Sequence, residues 1–484
     1  VHSDSLADDA SAVLLGDALA HVVDMVLVRG DGRFEAHTRE GSVSARRDGT
    51  IEWARNRNPL ERQDAGAFRP LEREIAHVRP PSHTNHYPDA YDRIGQLFED
   101  PRAPDLVVLH APAHNWEERG GHRGEHGSLD LVQSRAPLIL AGAGLGRLGR
   151  LERSARMVDI APTLARLAGV HAASDGRLLR AQEGRVLEEA LDPDAFAKNV
   201  VAFLCDGTNA NVLYAMADAG ELPCIARLMS EGTTYGHGCI SSFPSVTLAN
   251  HTTALTGAHP GRHGILHNYY FDRAARRQIK ANEPATWHQA REEIRADVET
   301  LFEAVARSGG GFTAAVNEPC DRGAGYATFD LVRAAGVGGI AGALPDARGL
   351  PDTTEMFAAT PGGYAWASSA DHIAVRQAID VWLGVAGNPR PRVMWINLIL
   401  PDAAAHAGGP YSEIARAGLR DTDRRIARIL DALDWGNGET AFVVLADHGM
   451  EETDPECKGD FDEALARAGI PFRDEGYGFI YLGE

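Results

Sequence analysis

The sequence predicts a mixed α/β fold with a central, mostly parallel sheet flanked by helices and a small β-rich accessory region. Three observations carry this. Six apolar, β-branched runs recur with helical stretches between them: "DLVVLHAP" (105–112), "PLILAGAG" (137–144), "NVVAFLCDG" (199–207), "FTAAVNEP" (312–319), "VMWINLILPD" (393–402) and "AFVVLADHG" (441–449). Near-continuous hydrophobicity over five to seven residues is the mark of strands covered on both faces, as in parallel sheets. Several of these runs end in polar residues, which places Asp and His at carboxyl edges, where open α/β sheets bind ligands. Residues 22–55 instead alternate apolar and polar positions with Gly-punctuated turns, predicting a meander or hairpins beside the main sheet.

Composition narrows the function classes. With 484 residues and 44% hydrophobic content, the chain can bury one large or two medium cores. Its 48 basic and 68 acidic residues give a net charge of −20, which disfavours a nucleic-acid polymer or an anionic membrane as the main partner. The five cysteines are odd in number and lack C-x-x-C spacing, so neither a disulfide framework nor a thiolate zinc site is expected, and a reducing, cytoplasmic setting fits better. No apolar run of membrane-spanning length and no signal-peptide pattern is visible in the given chain.

The polar residues at these edges form a set. Asp206 follows the first long run, and Asp447-His448 follows another; each alone equally suits a helix cap. Asp402 and His406 lie at i, i+4, on one side of a helical turn. The Gly-rich stretch "GGHRGEHGSLD" adds His122 and His126. Carboxylates with imidazoles and no thiolates suit zinc or a similar divalent ion, and with one histidine of the Gly-rich pair counted, six such candidates, seven with Thr247, are enough for two ions sharing a phosphate. Thr247, in "FPSVTLANHTTALTG" (243–257), precedes an apolar helical run. It reads both as a helix cap and as a hydroxyl that a divalent ion could activate at a helix amino terminus.

Taken together these motifs resemble the alkaline phosphatase superfamily, and within it the type I phosphodiesterase/nucleotide pyrophosphatase family. The matching elements are Asp206-Gly207, Thr247 to His251, His263-Gly264-Ile265 with Asn268, Asp402/His406, Asp447-His448-Gly449-Met450 and Gly124 to Gly127. The resemblance implies an alkaline-phosphatase-like core and two divalent metal ions, expected to be Zn²⁺. One would be held by Asp206, Asp447, His448 and Thr247, the other by Asp402, His406 and His126. It implies that Thr247 attacks phosphorus to form a phosphothreonine, that water at the second ion then hydrolyses it, and that Asn268 donates to a non-bridging oxygen. The substrate would be a small phosphate ester, with nucleotides among the candidates.

One departure concerns chain order. In the family the G-x-H-G element comes last, followed by a strand and a "VDIAPT"-like helix, whereas here Gly124–Gly127 and "VDIAPTLARLAGV" (158–170) lie in the first third. Circular permutation is the simplest account, because joining the two ends would restore the family order. The expected organisation is therefore an accessory region and lead-in over 1–100, part of the catalytic core carrying His126 over 101–175, a connection over 176–198, and the main core over 199–484 with a substrate-pocket insertion at about 269–390. Asn317, Tyr270 and Tyr326 are candidate pocket residues, with Tyr269 and Trp287 nearby, although aromatic residues there also serve packing. His251, His263 and His267 read as supporting groups. Related activities stay open: phosphonoacetate hydrolysis, which also uses a Thr, phosphomonoester hydrolysis, and an inactive binding module. No sulfatase C-x-P-x-R motif is present.

Overall fold

The computed structural model describes residues 2–77, 79–114, 122–193, 196–335, 362–454, 457, 459–476 and 478–483. Residues 336–361 of the expected pocket insertion, and 120–121 of the Gly-rich stretch, lie outside them.

Two sheets organise the chain. The larger has eight strands in the order Tyr326–Ala327, Thr313–Val316, Val393–Leu398, Asn199–Cys205, Thr440–Leu445, Leu138–Gly142, Gly232–Tyr235 and Gly149–Leu151. Its first five strands run parallel, Leu138–Gly142 runs antiparallel to both neighbours, and the last two run parallel to each other. Alternate residues face opposite layers, as strand geometry requires. Val200, Ala202 and Leu204 pack with the helices Ile160–Leu167, Thr247–Thr256 and Leu301–Arg307. Val201, Phe203 and Cys205 pack with the helices Ala210–Asp218, Pro223–Glu231, Gly362–Trp382 and Glu413–Ala432. Both faces are therefore dry, which is why these strands carry near-continuous apolar runs. Each fully buried Val, Leu or Ile contributes about 1.5–3 kcal/mol before chain entropy is counted.

The smaller sheet is wholly antiparallel, in the order Phe472–Asp474, Phe479–Leu482, Leu106–His110, Val23–Arg29, Phe34–His37, Gly41–Ala45 and Ile51–Asn56. The meander expected over 22–55 is present, but two expectations change. "DLVVLHAP" forms an antiparallel strand of this second sheet rather than a parallel strand of the main one, and "PLILAGAG" joins the main sheet antiparallel. Hydrophobic runs report burial on both faces and carry no information about direction. The accessory sheet also draws in 106–110 and 472–482, so it is not confined to 1–100. On one of its faces the helix His2–Leu14 buries Ala7, Ala10 and Leu14 against Phe461, Leu465 and Ile480, which brings the two end regions of the chain side by side.

Candidate active site

The residues singled out by sequence converge at the carboxyl edge of the main sheet. Asp206 follows Asn199–Cys205, and Asp447 and His448 follow the adjacent Thr440–Leu445. Asp402 and His406 sit on the helix Leu400–Gly408, which starts just after Val393–Leu398. Buried Asp371 fixes the start of that helix, its carboxylate accepting from the amides of Ile399 (2.8 Å) and Leu400 (3.1 Å). Gly207 makes the crossing possible. At its φ of +62° a Cβ would lie 2.3 Å from Asp402 Oδ1, so only glycine lets Asp206 and Asp402 share this space. Gly124 does the same for the His126 loop, where a Cβ would meet the Ala405 carbonyl at 2.6 Å.

His126, in the Gly-rich loop, is buried within this cluster. Its Nε2 is 3.8 Å from Asp402 Oδ1, and its ring stacks on that of His448 with centroids 3.7 Å apart. His406 Nε2 is 3.4 Å from the same Asp402 oxygen. His448 Nε2 lies 3.1 Å from Asp447 Oδ2 and 3.8 Å from Asp206 Oδ1. The donor atoms of His126, Asp402 and His448 fall within 4.8 Å of one another, so His448 stands between the two ligand sets that the resemblance separates.

The imidazoles share one arrangement. Nδ1–H donates to a carbonyl in His126 (Ser245, 3.0 Å), His406 (Gly124, 2.7 Å) and His448 (Gly449, 2.9 Å), since a carbonyl can only accept. Every Nε2 lone pair then faces the carboxylates, the orientation that fixes metal-binding histidines. Burial, and next the neighbouring His448 and His406, hold His126 well below the usual imidazole range, which keeps it neutral. Asp206 is pushed well above the usual carboxylate range by burial and then by Asp447 and Asp402. Five buried atoms here have no hydrogen-bond partner: Asp206 Oδ1, Asp402 Oδ1, Asp447 Oδ2, His448 Nε2 and His251 Nε2. Buried polar atoms are rarely left unpaired, and so many unpaired atoms turned to one spot form a candidate donor set for a cation.

Thr247 is the first residue of the helix Thr247–Thr256 and lies beside Asp206 and Asp402. The cap position belongs to Val246, whose apolar side chain makes no capping bond, so Thr247 stands one place inside the helix rather than at its cap. Asn268 Oδ1 accepts from the Leu248 amide at 3.2 Å, placing its amide group at the same helix start.

A cavity of about 440 Å³ opens over Thr247, Asp206, Asp402 and His406. Trp287, Tyr364, Trp366, Pro284 and Ile399 supply its apolar wall, and Asn282, Asn317 and Asn397 its amides. Trp287 and Trp366 have ring centroids 5.6 Å apart. His122 also lines it, its ring 4.5 Å from that of His406 and its Nδ1 2.9 Å from Glu125. Of the pocket candidates, Asn317 and Trp287 line this cavity. Tyr270 is instead fully buried in the apolar layer beneath the accessory sheet, where its hydroxyl donates to the Gly264 carbonyl at 3.0 Å. Tyr326 packs against the helices of the main sheet. Both rings went to core packing, the commoner fate of an aromatic side chain.

His251, a supporting group in the sequence reading, stands close to the carboxylates, its Nε2 3.6 Å from Asp447 Oδ2 and 3.8 Å from Asp206 Oδ2. Its place four residues after Thr247, on the same helical face, was the available signal. Burial pulls this imidazole down, but Glu318, with Asp447 and Asp402, raises it overall, so the surroundings demand positive charge.

Comparison with known proteins finds similar chains of one kind. Over 252 residues the chain is 24% identical to mouse (Mus musculus) ectonucleotide pyrophosphatase/phosphodiesterase family member 1, covering 52% of this chain and 24% of that protein. Over 269 residues it is 32% identical to an uncharacterized pyrophosphatase/phosphodiesterase of Schizosaccharomyces pombe, covering 54% and 46%. The chain thus spans about a quarter to a half of the length of these relatives. Among solved structures, murine ectonucleotide pyrophosphatase/phosphodiesterase 5 in complex with AMP aligns with a TM-score of 0.34 at 16% identity, covering 52% and 57%. Phosphonoacetate hydrolase from Sinorhizobium meliloti 1021 in complex with phosphonoformate aligns with a TM-score of 0.35 at 19% identity, covering 53% and 57%. The family model for type I phosphodiesterase / nucleotide pyrophosphatase matches residues 200–483, more than half of the sequence, and the chain belongs to that family.

Proposed function

We propose that this chain is a hydrolase of phosphoric diesters and nucleotide-type pyrophosphates, with Thr247 as nucleophile beside two divalent cations of the Zn²⁺ type. The observation that carries this is the group of five unpartnered buried donor atoms facing the hydroxyl at a helix amino terminus. Asp206, Asp447, His448 and Thr247 would hold one ion, and Asp402, His406 and His126 the other. An all-N/O donor set suits zinc. Bound there, such ions supply neutralisation of phosphate charge and a lowered pKa for the hydroxyl.

The chain's own groups do the rest. Thr247 Oγ1, its proton given up to solvent, attacks phosphorus as the P–O bond to the leaving group breaks and that group departs with its oxygen; water later cleaves the Thr247–phosphorus ester, returning a proton to Oγ1 and freeing the phosphate product. The helix amino terminus directs its positive end at the phosphoryl oxygens. Asn268, oriented through its bond to the Leu248 amide, offers its NH₂ group to a non-bridging oxygen. The aromatic cavity receives an apolar or flat leaving group such as a nucleoside. No Lys or Arg lines it among the described residues, which disfavours phosphonoacetate, whose free carboxylate calls for a cation. With every nucleophile and ligand type present, an inactive binding module is the weaker reading.

The test compares wild type and Thr247→Ala on bis(p-nitrophenyl) phosphate, p-nitrophenyl phosphate and phosphonoacetate, with metal content measured in parallel. Diester turnover that disappears in the variant while metal stays bound supports the proposal. Preference for the monoester or for phosphonoacetate overturns it.

We also infer that the chain order is a circular permutation of the family order. In support, His126 precedes the matched stretch yet faces Asp402 and His448, and the two end regions pack together.

A further inference from the structure

One amide acceptor in the cavity beside Thr247 has no partner among the described residues. Asn397 lies near the carboxyl end of the strand Val393–Leu398, level with Asn317, which follows the neighbouring parallel strand Thr313–Val316. Both line the cavity, and both are buried, at 3% and 4% exposure. Val393 and Trp395 pack on the layer of the Thr247–Thr256 helix and Met394, Ile396 and Leu398 on the opposite one, so strand alternation turns Asn397 to the helix side. Its Nδ2–H donates to the Asn317 carbonyl at 3.2 Å, and Asn317 Nδ2–H returns a bond of 3.2 Å to the Asn397 carbonyl. Asn317 takes this position at a φ of +54°, a left-handed backbone that Asn tolerates better than most residues. The reciprocal bonds dictate which way the Asn397 amide points: turned over, it would set Oδ1 against a carbonyl oxygen, acceptor against acceptor. Asn397 Oδ1 is left buried with no hydrogen-bond partner, a costly state unless a donor reaches it.

We propose that Asn397, held in orientation by Asn317, is a specificity-determining residue whose Oδ1 accepts from a hydroxyl on the organic group of the substrate. This rests on the hydrolase reading above and narrows its substrate class to diesters of hydroxylated alcohols. The rest of the cavity fits a neutral donor at this point. Trp287, Trp366, Pro284 and Ile399 offer apolar surface, and no Lys or Arg lines the cavity among the described residues. Asn282 Oδ1 is already taken by Trp287 Nε1–H at 2.6 Å, so that amide presents its NH₂ group instead. A buried acceptor built to meet a hydroxyl rejects the analogue that lacks it, because the acceptor is then left unpaired. Apolar walls alone favour that same analogue. The two predict preferences of opposite sign.

The probes are bis(ω-hydroxyalkyl) phosphates over a series of short chain lengths, each paired with the dialkyl phosphate that has CH₃ in place of OH. Both arms of each probe are alike, so either can enter the cavity. Binding to the full, zinc-loaded chain is read by isothermal titration calorimetry. Wild type should bind the hydroxylated member about 10-fold more tightly at its best chain length, and Asn397→Leu should reverse this to about 3-fold in favour of the methyl isostere. Should Asn397→Leu fail to fold, the wild-type preference and a crystal structure of wild type with its tightest diester still decide the matter. In that structure the probe hydroxyl should lie within about 3.2 Å of Asn397 Oδ1. Preference for the methyl isostere at every chain length, a hydroxyl preference that Asn397→Leu leaves intact, or a hydroxyl seated away from Asn397 would overturn this inference alone. Failure to hydrolyse bis(p-nitrophenyl) phosphate would separately overturn the hydrolase reading, and absence of binding by every probe would overturn both.

Discussion

The two halves of the site differ in their access to water. In the inner half, the Asp447 and His448 side chains have no exposure and Asp206 has 6%. In the outer half, Asp402 is 21% and His406 17% exposed, facing the cavity, while His126 is buried. A dry, pre-oriented inner position strengthens every charge interaction around the nucleophile. The more open outer position suits exchange of water and departing phosphate. The halves come from different chemistry: the inner from strand ends locked in the sheet, the outer from one helix turn and one Gly-rich loop.

Breaking the nucleophile should give the largest effect. Thr247→Ala is expected to lower diester kcat by about 10³- to 10⁴-fold or more while both metal equivalents remain, checked by steady-state kinetics with elemental analysis. Next is the partition between halves. During dialysis against a mild chelator, one metal equivalent should leave roughly 10- to 100-fold faster than the other, and His406→Gln should abolish only the fast-leaving one. Equal loss rates would remove the inner–outer distinction.

Gly207→Ala sharpens the comparison where the halves touch. The added methyl must displace Asp402 and adopt a φ of +62°, so the variant should lose about 1–3 kcal/mol of stability, read by urea unfolding, with a weakened outer cation. A smaller effect is expected at His263, behind the nucleophile helix. Its Nδ1 accepts from the Ile265 amide and its Nε2–H donates to the Ala249 carbonyl, and burial pushes it down to about 3. A depressed folded-state value means stability present above the ordinary value of about 6.5 and lost as pH falls toward 3. The advantage of wild type over His263→Gln should therefore shrink by a few kcal/mol between about pH 7 and pH 4. The least perturbing change is re-permutation. Joining the ends by a short linker and opening the exposed turn at 172–176 should leave the diester kcat/KM within about threefold, if the altered order is only a matter of connectivity.

Much of this arrangement was legible in the sequence because the chemistry sits where hydrophobic runs stop. Asp206, Asp402 and Asp447 each follow a run whose continuous apolarity reports two covered faces, and the i, i+4 spacing of Asp402 and His406 survives on the Leu400–Gly408 helix. What burial alone cannot encode was missed. Leu106–His110 and Leu138–Gly142 are as apolar as the parallel strands, but their direction depends on connections elsewhere. Residue type alone points Tyr270 and Tyr326 to the pocket, whereas the Tyr270 ring is buried in the core and the half-buried Tyr326 ring packs against it. The pairing of His251 with Glu318 was also out of reach, because it spans 67 residues and only the fold brings the two together.

Metal counting on the purified chain tests the central claim most directly. The account predicts two equivalents of divalent metal per chain, with diester turnover lost on chelation and restored by Zn²⁺. Fewer than one equivalent, with turnover indifferent to chelator, would contradict it.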